Sequence, residues 1–577
     1  MAIDYAVFEQ AKDYALHITD NNSERVASAS KYRQMYELDS PIQSNIEGVG
    51  AHVKFVADPS PRVRTQGAKR LLTATEMSFS IPHEDNAAEA DMIDNLEEAA
   101  KTIWWRSGLA NGAPLEEDMV LSALLFDEVH VQVNKTADML KHFEEGVEAQ
   151  KKINKDYEPA PAIKERIERL SKSTPYLCEV VNVEAGYPEW DALGLRRYFS
   201  KRTVTRGYLL DMYGLACDDP HEEVVLCDLW DLEWRHIWIE EQEDEPIVQE
   251  KHGLPFIPIV CYLVEGSRNI WRDPDKQRQP FLYTMQKAGL WDLNTIWLSS
   301  MATNVKTFGL IANFIYQGDG SPRYESTGVM AVHSVGPDES LAPMEMPING
   351  KAVQDMYGLT DELTTQATIY PQSLGAPGGS GDPYSKTALL HQAGRLPLVT
   401  IQRQVANCAA EAMWLALRWM RHEPEQYAAR GKTQAVEIDA GQIPEFLVVE
   451  AALEIDLPQD QLQMMNVAGQ SRQLMGDAWT IENVVNEAQP KQVIMQRTAE
   501  EVFQFNKQMY FQRMQQQAQM EIQQAQMQQQ MMAQQAQMEM QGGPPMSPEE
   551  EAALAQAEGG APMMPEPDRP PVPGVMG

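Results

Sequence analysis

The sequence predicts an α+β chain, mostly helical. Three observations carry that expectation. Apolar residues recur at three- and four-residue spacing through 87–106, 280–305, 351–370 and 384–423. Shorter β-like runs gather in two blocks, 176–260 and 306–346. At 577 residues and 43% hydrophobic content, the chain is long enough for several domains with substantial cores.

Taken in order, residues 1–30 read as helical and acidic-polar, a surface arm. Lys31–Tyr36, Pro41 and the turn Gly48-Val49-Gly50 follow. In 87–106, Met92, Leu96, Ala99 and Ile103 fall on one helical face, and Asn111-Gly112-Ala113-Pro114 breaks the run. A second helix, Glu116–Phe126, leads into Glu128–Val133, which alternates as a half-buried strand does. Residues 138–172 are mixed in charge and read as helical. Tyr176–Tyr213 reads as strands and turns, including Leu177–Val181 and Tyr187–Asp191, and Val224–Ile239 again reads as strand. In His252–Val260 the prolines Pro255 and Pro258 point to an edge strand or an extended segment.

Pro280–Val305 is a candidate helix, with Leu282, Met285, Leu293, Trp297 and Met301 roughly aligned. Residues 306–346 form a small insert of strands and turns, with Gly318-Asp319-Gly320-Ser321-Pro322 and the β-like Gly328–Val332. Lys351–Tyr370 is helical again, through Val353, Met356, Leu363 and Ala367, and Pro371 stops it. Two helices thus flank a small β-rich insert.

The second of these helices leads into Tyr370–Pro383, where four glycines and three prolines favour an open, mobile loop. A lid beside a core helix is one use for such a loop. Asp382 suits the N-cap and Pro383 the first position of the helix that follows. From Asp382 to His422 that helix would be roughly 60 Å long, with Val405, Ala409, Ala412, Ala416 and Trp419 at helical spacing. Pro397 should kink it. Beyond Glu423, Val436–Asp439 and Phe446–Glu450 read as short strands, and Gln459–Leu474 and Glu500–Gln541 as helices. In the last, Met514, Ala518, Ile522, Ala525, Met532, Ala536 and Met540 step by three, four or seven; a Gln tract of this kind also suits a disordered segment. Residues 542–577 carry no periodicity and read as disordered. No internal repeat is visible.

The formal net charge of −36, from 84 acidic and 48 basic residues, argues against a protein that wraps nucleic acid tightly, since phosphate binding draws on clustered Lys and Arg. It suits solubility, and also a wall to which DNA does not adhere. Cys178, Cys217, Cys227, Cys261 and Cys408 are scattered, odd in number and free of CxxC pairs, which suggests neither a zinc ribbon nor a disulfide framework and fits a reducing compartment. Met1–Tyr5 does not open a signal peptide, and no run of 18 apolar residues predicts a membrane span.

No phosphate loop, HExxH or GxSxG occurs; Gly350-Lys351 is preceded by Glu345 where a phosphate loop needs glycine. Asp218-Asp219-Pro220-His221-Glu222-Glu223 reads as an exposed acidic turn ahead of a metal site. Cys217 and Cys227 read as small core residues, and His391 and His422 as helix histidines. No cofactor, metal ligand set or catalytic residue is expected. Lys386, one turn past the glycine loop with His391 and Arg395 near it in sequence, is either an exposed helix lysine or, if the loop faces DNA, a loose, salt-sensitive phosphate contact.

The order of these segments resembles the portal proteins of tailed bacteriophages. Leu121–Val131 looks like the start of a portal wing, Tyr187–Leu195 followed by Arg196-Arg197-Tyr198 like the wing's strand-turn-strand segment, and His252–Ile259 like the approach to the first stem helix. Two helices around a β insert look like stem, clip, stem. The glycine loop and long helix look like the tunnel loop and the helix behind it, and the Gln-rich segment is similar to a crown or barrel helix. The resemblance covers most of 31–541 and rests on order and character; Leu140–Ser171 is longer than that pattern. It implies a portal-type fold: an arm at 1–30, wing at 31–278, first stem helix at 279–305, clip at 306–346, second stem helix at 347–371, tunnel loop at 372–385, long kinked helix at 386–423, wing or crown at 424–499, crown or barrel helix at 500–541 and a tail at 542–577.

It further implies a non-enzymatic ring, usually of twelve subunits, at the portal vertex of a virion, assembled in the host cytoplasm. Double-stranded DNA would pass its axis, contacting Gly375, Gly378, Gly379, Ser380, Gly381, Asp382 and Lys386 without sequence preference. The clip, with Phe308, Tyr316, Arg323 and Tyr324, would dock terminase and a tail or adaptor protein, and the major capsid protein would surround the ring. Stem helices packed side by side would bury their apolar stripes between subunits. Two rival readings stand beside this: a metal-dependent nuclease or hydrolase using Asp218 and Glu222 with Gly375–Gly381 as lid, and another virion scaffold assembled through 500–541.

Overall fold

The computed structural model describes residues 7–48, 53–82, 87–241, 245–266, 277–306, 312–317, 323–327, 340–343, 350–368, 384–423, 426–430, 435–445 and 447–453. These form a mixed structure of helix and sheet. The expected tunnel loop, the loops of the β insert and the helices beyond 454 lie outside the described residues.

The chain opens with α1 (Phe8–Asn21) and α2 (Ser23–Glu37). Phe8, Ala11, Ala15 and Ile18 recur at helical spacing and are buried, packing with Tyr187, Phe199, Leu229 and Trp238 of a β-sheet. The expected surface arm is therefore a docked helix, because its small apolar stripe lets α1 lie close against aromatic rings. Then come α3 (Gln43–Glu47), α4 (Ser60–Leu72), β1 (Ser78–Ser80), α5 (Ala87–Asn111) and α6 (Leu115–Phe126). The Leu96, Ala99 and Ile103 face of α5 is buried, as its spacing predicts.

The strand β2 (Glu128–Lys135) follows. Val129, Val131 and Val133 are fully buried in the main core with α5 and α6, while His130 and Gln132 on the opposite face are buried as well. The half-buried strand expected from alternation is thus covered on both sides. His130 Nδ1 lies 3.0 Å from the Tyr198 hydroxyl, so the polar face is paired, not wet. Each valine contributes roughly 1.5–3 kcal/mol of hydrophobic burial as an upper figure.

Next are α7 (Thr136–Ile153) and α8 (Pro161–Ser173), joined through Phe143, Val147 and Ile167. This pair is the long segment at 140–171. It precedes β3 (Tyr176–Val181), β4 (Gly186–Asp191), β5 (Gly194–Thr205), α9 (Arg206–Tyr213), β6 (Glu223–Trp230), β7 (Trp234–Ile239), β8 (Val248–Lys251) and β9 (Ile259–Leu263). One sheet has the order β3-β2-β9 and another β4-β5-β6-β7-β8, both antiparallel.

Two local departures from expectation have clear causes. α9 interrupts a block read as strand: Thr205 Oγ1 accepts from Tyr208 N at 3.2 Å, and Gly214, at φ 65°, ends the helix. The single run Val224–Ile239 is a hairpin, because Asp231 Oδ1 accepts from Glu233 N at 2.7 Å and Trp234 N at 2.6 Å and turns the chain.

The chain continues through α10 (Tyr283–Lys287), α11 (Leu290–Asn304), β10 (Ala312–Gln317), β11 (Arg323–Thr327), β12 (Ser340–Pro343), α12 (Gly350–Ala367) and α13 (Tyr384–His422). It closes with β13 (Gln426–Arg430), β14 (Ala435–Asp439) and β15 (Glu450–Ala452), β15 pairing antiparallel with β1. The strand β13 was not expected; of the predicted Phe446–Glu450 strand, Phe446 lies outside the described residues, 447–449 are not strand, and β15 begins only at Glu450. α13 is helical without interruption through Pro397 over 39 residues. Val405, Ala409, Ala412, Ala416 and Trp419 are all buried, so this helix runs through the main core.

Candidate functional site

The helix pair α11–α12 and the three-stranded sheet between them in sequence form the candidate site. The sheet has the order β11-β10-β12, both pairings antiparallel, with Tyr316 opposite Arg323 and Leu341, and Ile315 opposite Tyr324. Of the expected clip residues, the register therefore brings Tyr316, Arg323 and Tyr324 to one edge-to-centre pairing, while Phe308 lies outside the described residues.

The base of the pair is anchored in the body. Leu282, Met285, Leu290 and Trp291 pack with Tyr32 and Met35 of α2 and Leu125 of α6. The joint just before it is polar. Asp127 ends α6 in the left-handed region, at φ 58°. Its carboxylate accepts from the backbone N–H groups of Glu265 (2.6 Å), Gly266 (2.8 Å) and Gln279 (2.8 Å). Burial pushes its pKa up to about 6 against those bonds. Glu265, removed from water and facing Asp127, is pushed up to about 7. Next to them Glu128, fully buried, meets Arg278 Nε at 3.1 Å and Arg25 at 3.2 Å. Burial opposes its charge, yet Arg278 and Arg25 hold its pKa well below the usual range.

An extended strap, residues 53–59, runs along α11. The N–H groups of Lys54, Val56 and Asp58 donate to Thr303 Oγ1 (2.9 Å), Ser299 Oγ (3.0 Å) and Thr295 Oγ1 (3.2 Å). The match is geometric: two extended residues advance about 6.6 Å and four helical residues about 6 Å, so alternate N–H groups meet every fourth side chain. Asp58, with no exposed surface, closes the strap: its carboxylate accepts from Ser60 N and Oγ and from Asn294 Nδ2, and its carbonyl from Trp291 Nε1 at 3.1 Å. Asn294 Nδ2 also reaches Thr364 Oγ1 of α12 at 3.2 Å, and Arg64 of α4 bonds Thr365 Oγ1 at 2.8 Å.

Polar groups are thus concentrated inside this pair beside the buried Leu290, Trp291 and Val353, and a further set of apolar residues lies outside. Leu293 (41%), Ile296 (41%) and Val305 (56%) are exposed on and just beyond α11, and Met356 (45%), Leu359 (53%) and Leu363 (41%) form a stripe at three- and four-residue spacing on α12. The alignment read from the sequence through 280–305 therefore splits. Leu282 and Met285 go inside, and Leu293 stays exposed.

The remaining expected residues fall as follows. Gly375, Gly378, Gly379, Ser380, Gly381 and Asp382 lie outside the described residues, and Lys386 sits in the first turn of α13. In the acidic turn, Arg206 Nε binds Glu222 at 2.6 Å, and Asp219 Oδ1 accepts from His221 N. Among the described residues no three His, Cys, Asp or Glu side chains converge as metal ligands. Cys178, Cys227, Cys261 and Cys408 are buried, Cys217 partly so, and all five are free thiols. His422 Nε2 donates to the Gly253 carbonyl at 2.9 Å. Among the described residues no helix is long and apolar enough to cross a membrane. The strap was missed by sequence reasoning; its one legible signal is Thr295, Ser299 and Thr303 at four-residue spacing.

No family model and no curated protein matches the chain. Among the solved particles that contain chains similar to it are two gene transfer agent structures. One is the virion of a native gene transfer agent particle, at 12% identity over 74% of this chain and 90% of that one, TM-score 0.37. The other is the neck of an empty gene transfer agent particle computed with C6 symmetry, at 11% identity over 78% and 93%, TM-score 0.40. At these identities and scores the likeness assigns neither fold nor role.

Proposed function

We propose that the chain is a portal protein, the subunit of a ring at one capsid vertex through which viral DNA is packaged and ejected. The observation that carries this reading is the inverted polarity of α11–α12. Asn294 and Thr364 bond each other within the pair, while Met356, Leu359 and Leu363 face outward. A helix pair with its polar groups inside and an apolar stripe outside lacks its own cover, and lateral packing of further copies supplies it. Strap and anchor tie the pair to the body through hydrogen bonds and apolar packing, as a load-transmitting wall requires.

In this reading α11 and α12 are the stem and β10–β12 the clip, whose Tyr316, Arg323 and Tyr324, with Phe308, meet adaptor and terminase. Gly375–Asp382 and Lys386 line the channel. The acidic chain repels DNA, and sparse lysines grip it weakly and without sequence preference. The ring is of about a dozen copies, seated among major capsid subunits in the virion, and has no catalytic step of its own.

Negative-stain microscopy of the purified full chain tests this. Closed rings with an axial hole are expected. A monodisperse monomer at micromolar concentration would overturn it, as would hydrolysis of DNA abolished by Asp218→Ala or Glu222→Ala.

A further inference from the structure

The α7–α8 pair is the segment that exceeds the portal pattern, and its charge differs from that of the rest of the chain. Against a formal net charge of −36, residues 151–172 carry seven basic and four acidic side chains. At the corner between the helices Lys151, Lys152 and Lys155 are exposed and make no ion pair among the described residues. Ile153, in their midst, is 82% exposed. A lone exposed apolar residue is ordinary. Ringed by unpaired lysines, it gives the corner a definite complement: an apolar centre with an acidic rim.

α1 presents that complement. Glu9, Asp13, Leu16 and Asp20 recur at four- and three-residue spacing, on the face opposite the buried Phe8, Ala11, Ala15 and Ile18. All four are exposed, Leu16 at 56%, and the three carboxylates make no ion pair among the described residues.

The five-stranded sheet keeps the two faces apart. Successive residues of a strand point to opposite sides. Leu229 and Trp238 pack with α1, while Leu226, Ile237 and Ile239 pack with α9 on the other side. The corner is fastened behind α9: Tyr157 Oη donates to the Gly214 carbonyl at 2.9 Å, and Gly146 of α7 leaves no room for a Cβ beside the Tyr213 carbonyl. Sheet and α9 therefore stand between the lysine corner and the outward face of α1, and the two cannot meet within one chain. Between copies the same contact is head-to-tail, the kind that closes into a ring when the rotation allows. DNA fits the corner less well. Asp156, Glu158, Glu165 and Glu168 repel phosphate, and a sugar–phosphate backbone offers Ile153 no apolar partner.

We propose that the α7–α8 corner of one copy docks on the outward face of α1 of the next, with Ile153 against Leu16 and the lysines around the carboxylates. This contact rests on the reading of the chain as a ring subunit, and adds to the α11–α12 stripe an interface on the body.

Sedimentation of the full chain measures association. Lys151→Glu, Lys152→Glu and Lys155→Glu together should raise the dissociation constant about tenfold, since each exposed pair is worth little alone. Glu9→Lys, Asp13→Lys and Asp20→Lys should weaken association as much, although they lower the general self-repulsion, and the two sets combined should restore it. In a Cys217→Ser background, Leu16→Cys with Ile153→Cys should give a ladder of disulfide-linked multimers under mild oxidation, and either alone should not. Parental affinity in the lysine variant, or rings that yield no ladder, would overturn this contact and leave the ring reading standing; a chain that stays monomeric removes both. Binding of a short DNA duplex that the lysine variant loses, with association unchanged, would assign the corner to nucleic acid instead.

Discussion

Asn294 Nδ2 lies 3.1 Å from the Asp58 carboxylate and 3.2 Å from Thr364 Oγ1, so one amide ties strap, α11 and α12 together. Asn294→Ala should destabilise the subunit by about 1–3 kcal/mol. The buried carboxylate loses a donor; the loss is trimmed because Asn294 Oδ1 has no partner of its own. Urea denaturation measures it, and a change under about 0.5 kcal/mol would remove the tie from the account.

The outward stripe gives the sharpest separation of folding from assembly. Leu359→Glu and Ile296→Glu place charges at exposed positions, so the subunit's melting temperature should hardly move. Association should fail, because a charge buried between copies lacks a partner. Light scattering after size exclusion reads the outcome; rings of unchanged mass in both variants would mean that the stripe is not the contact.

The Asp127–Glu265 joint has a definite pH signature. Folded-state pKa values of about 6 and about 7 stand above ordinary values of 3.8 and 4.5. Between those limits the folded chain holds more protons than the unfolded one, so these groups lower stability as pH rises from about 4 to about 7. Glu265→Gln should flatten that fall and leave the variant the more stable one above pH 7. Melting curves from pH 4 to 8 check it, and parallel curves for the two proteins would contradict it.

Removing Gly378–Gly381 should leave rings intact while lowering the yield of packaged DNA, since the deletion lies between α12 and α13 and outside both. Packaging at the parental level would count against a channel role for this segment.

Strongly periodic elements were legible before any coordinates. The Leu96, Ala99 and Ile103 face, the Val405–Trp419 stripe and the two helices flanking a β insert follow from side-chain spacing alone, since burial along one helix is a local pattern. Local turn chemistry was legible in principle and overlooked: Asp231 and Thr205 split runs that composition reads as continuous strand.

What the chain alone determined, then, is where its strongly periodic helices stand, its acidic balance and the absence of recognisable catalytic motifs, because these depend on residues a few positions apart. Tertiary structure decided which apolar faces are covered. Leu282 and Leu293 belong to one alignment in sequence, yet the first meets Met35 and Leu125 in the interior while the second remains 41% exposed. It also decided that Asp58, more than two hundred positions from Asn294, would lock the pair. Such contacts are set by which distant surfaces meet, and nothing in local spacing encodes the meeting.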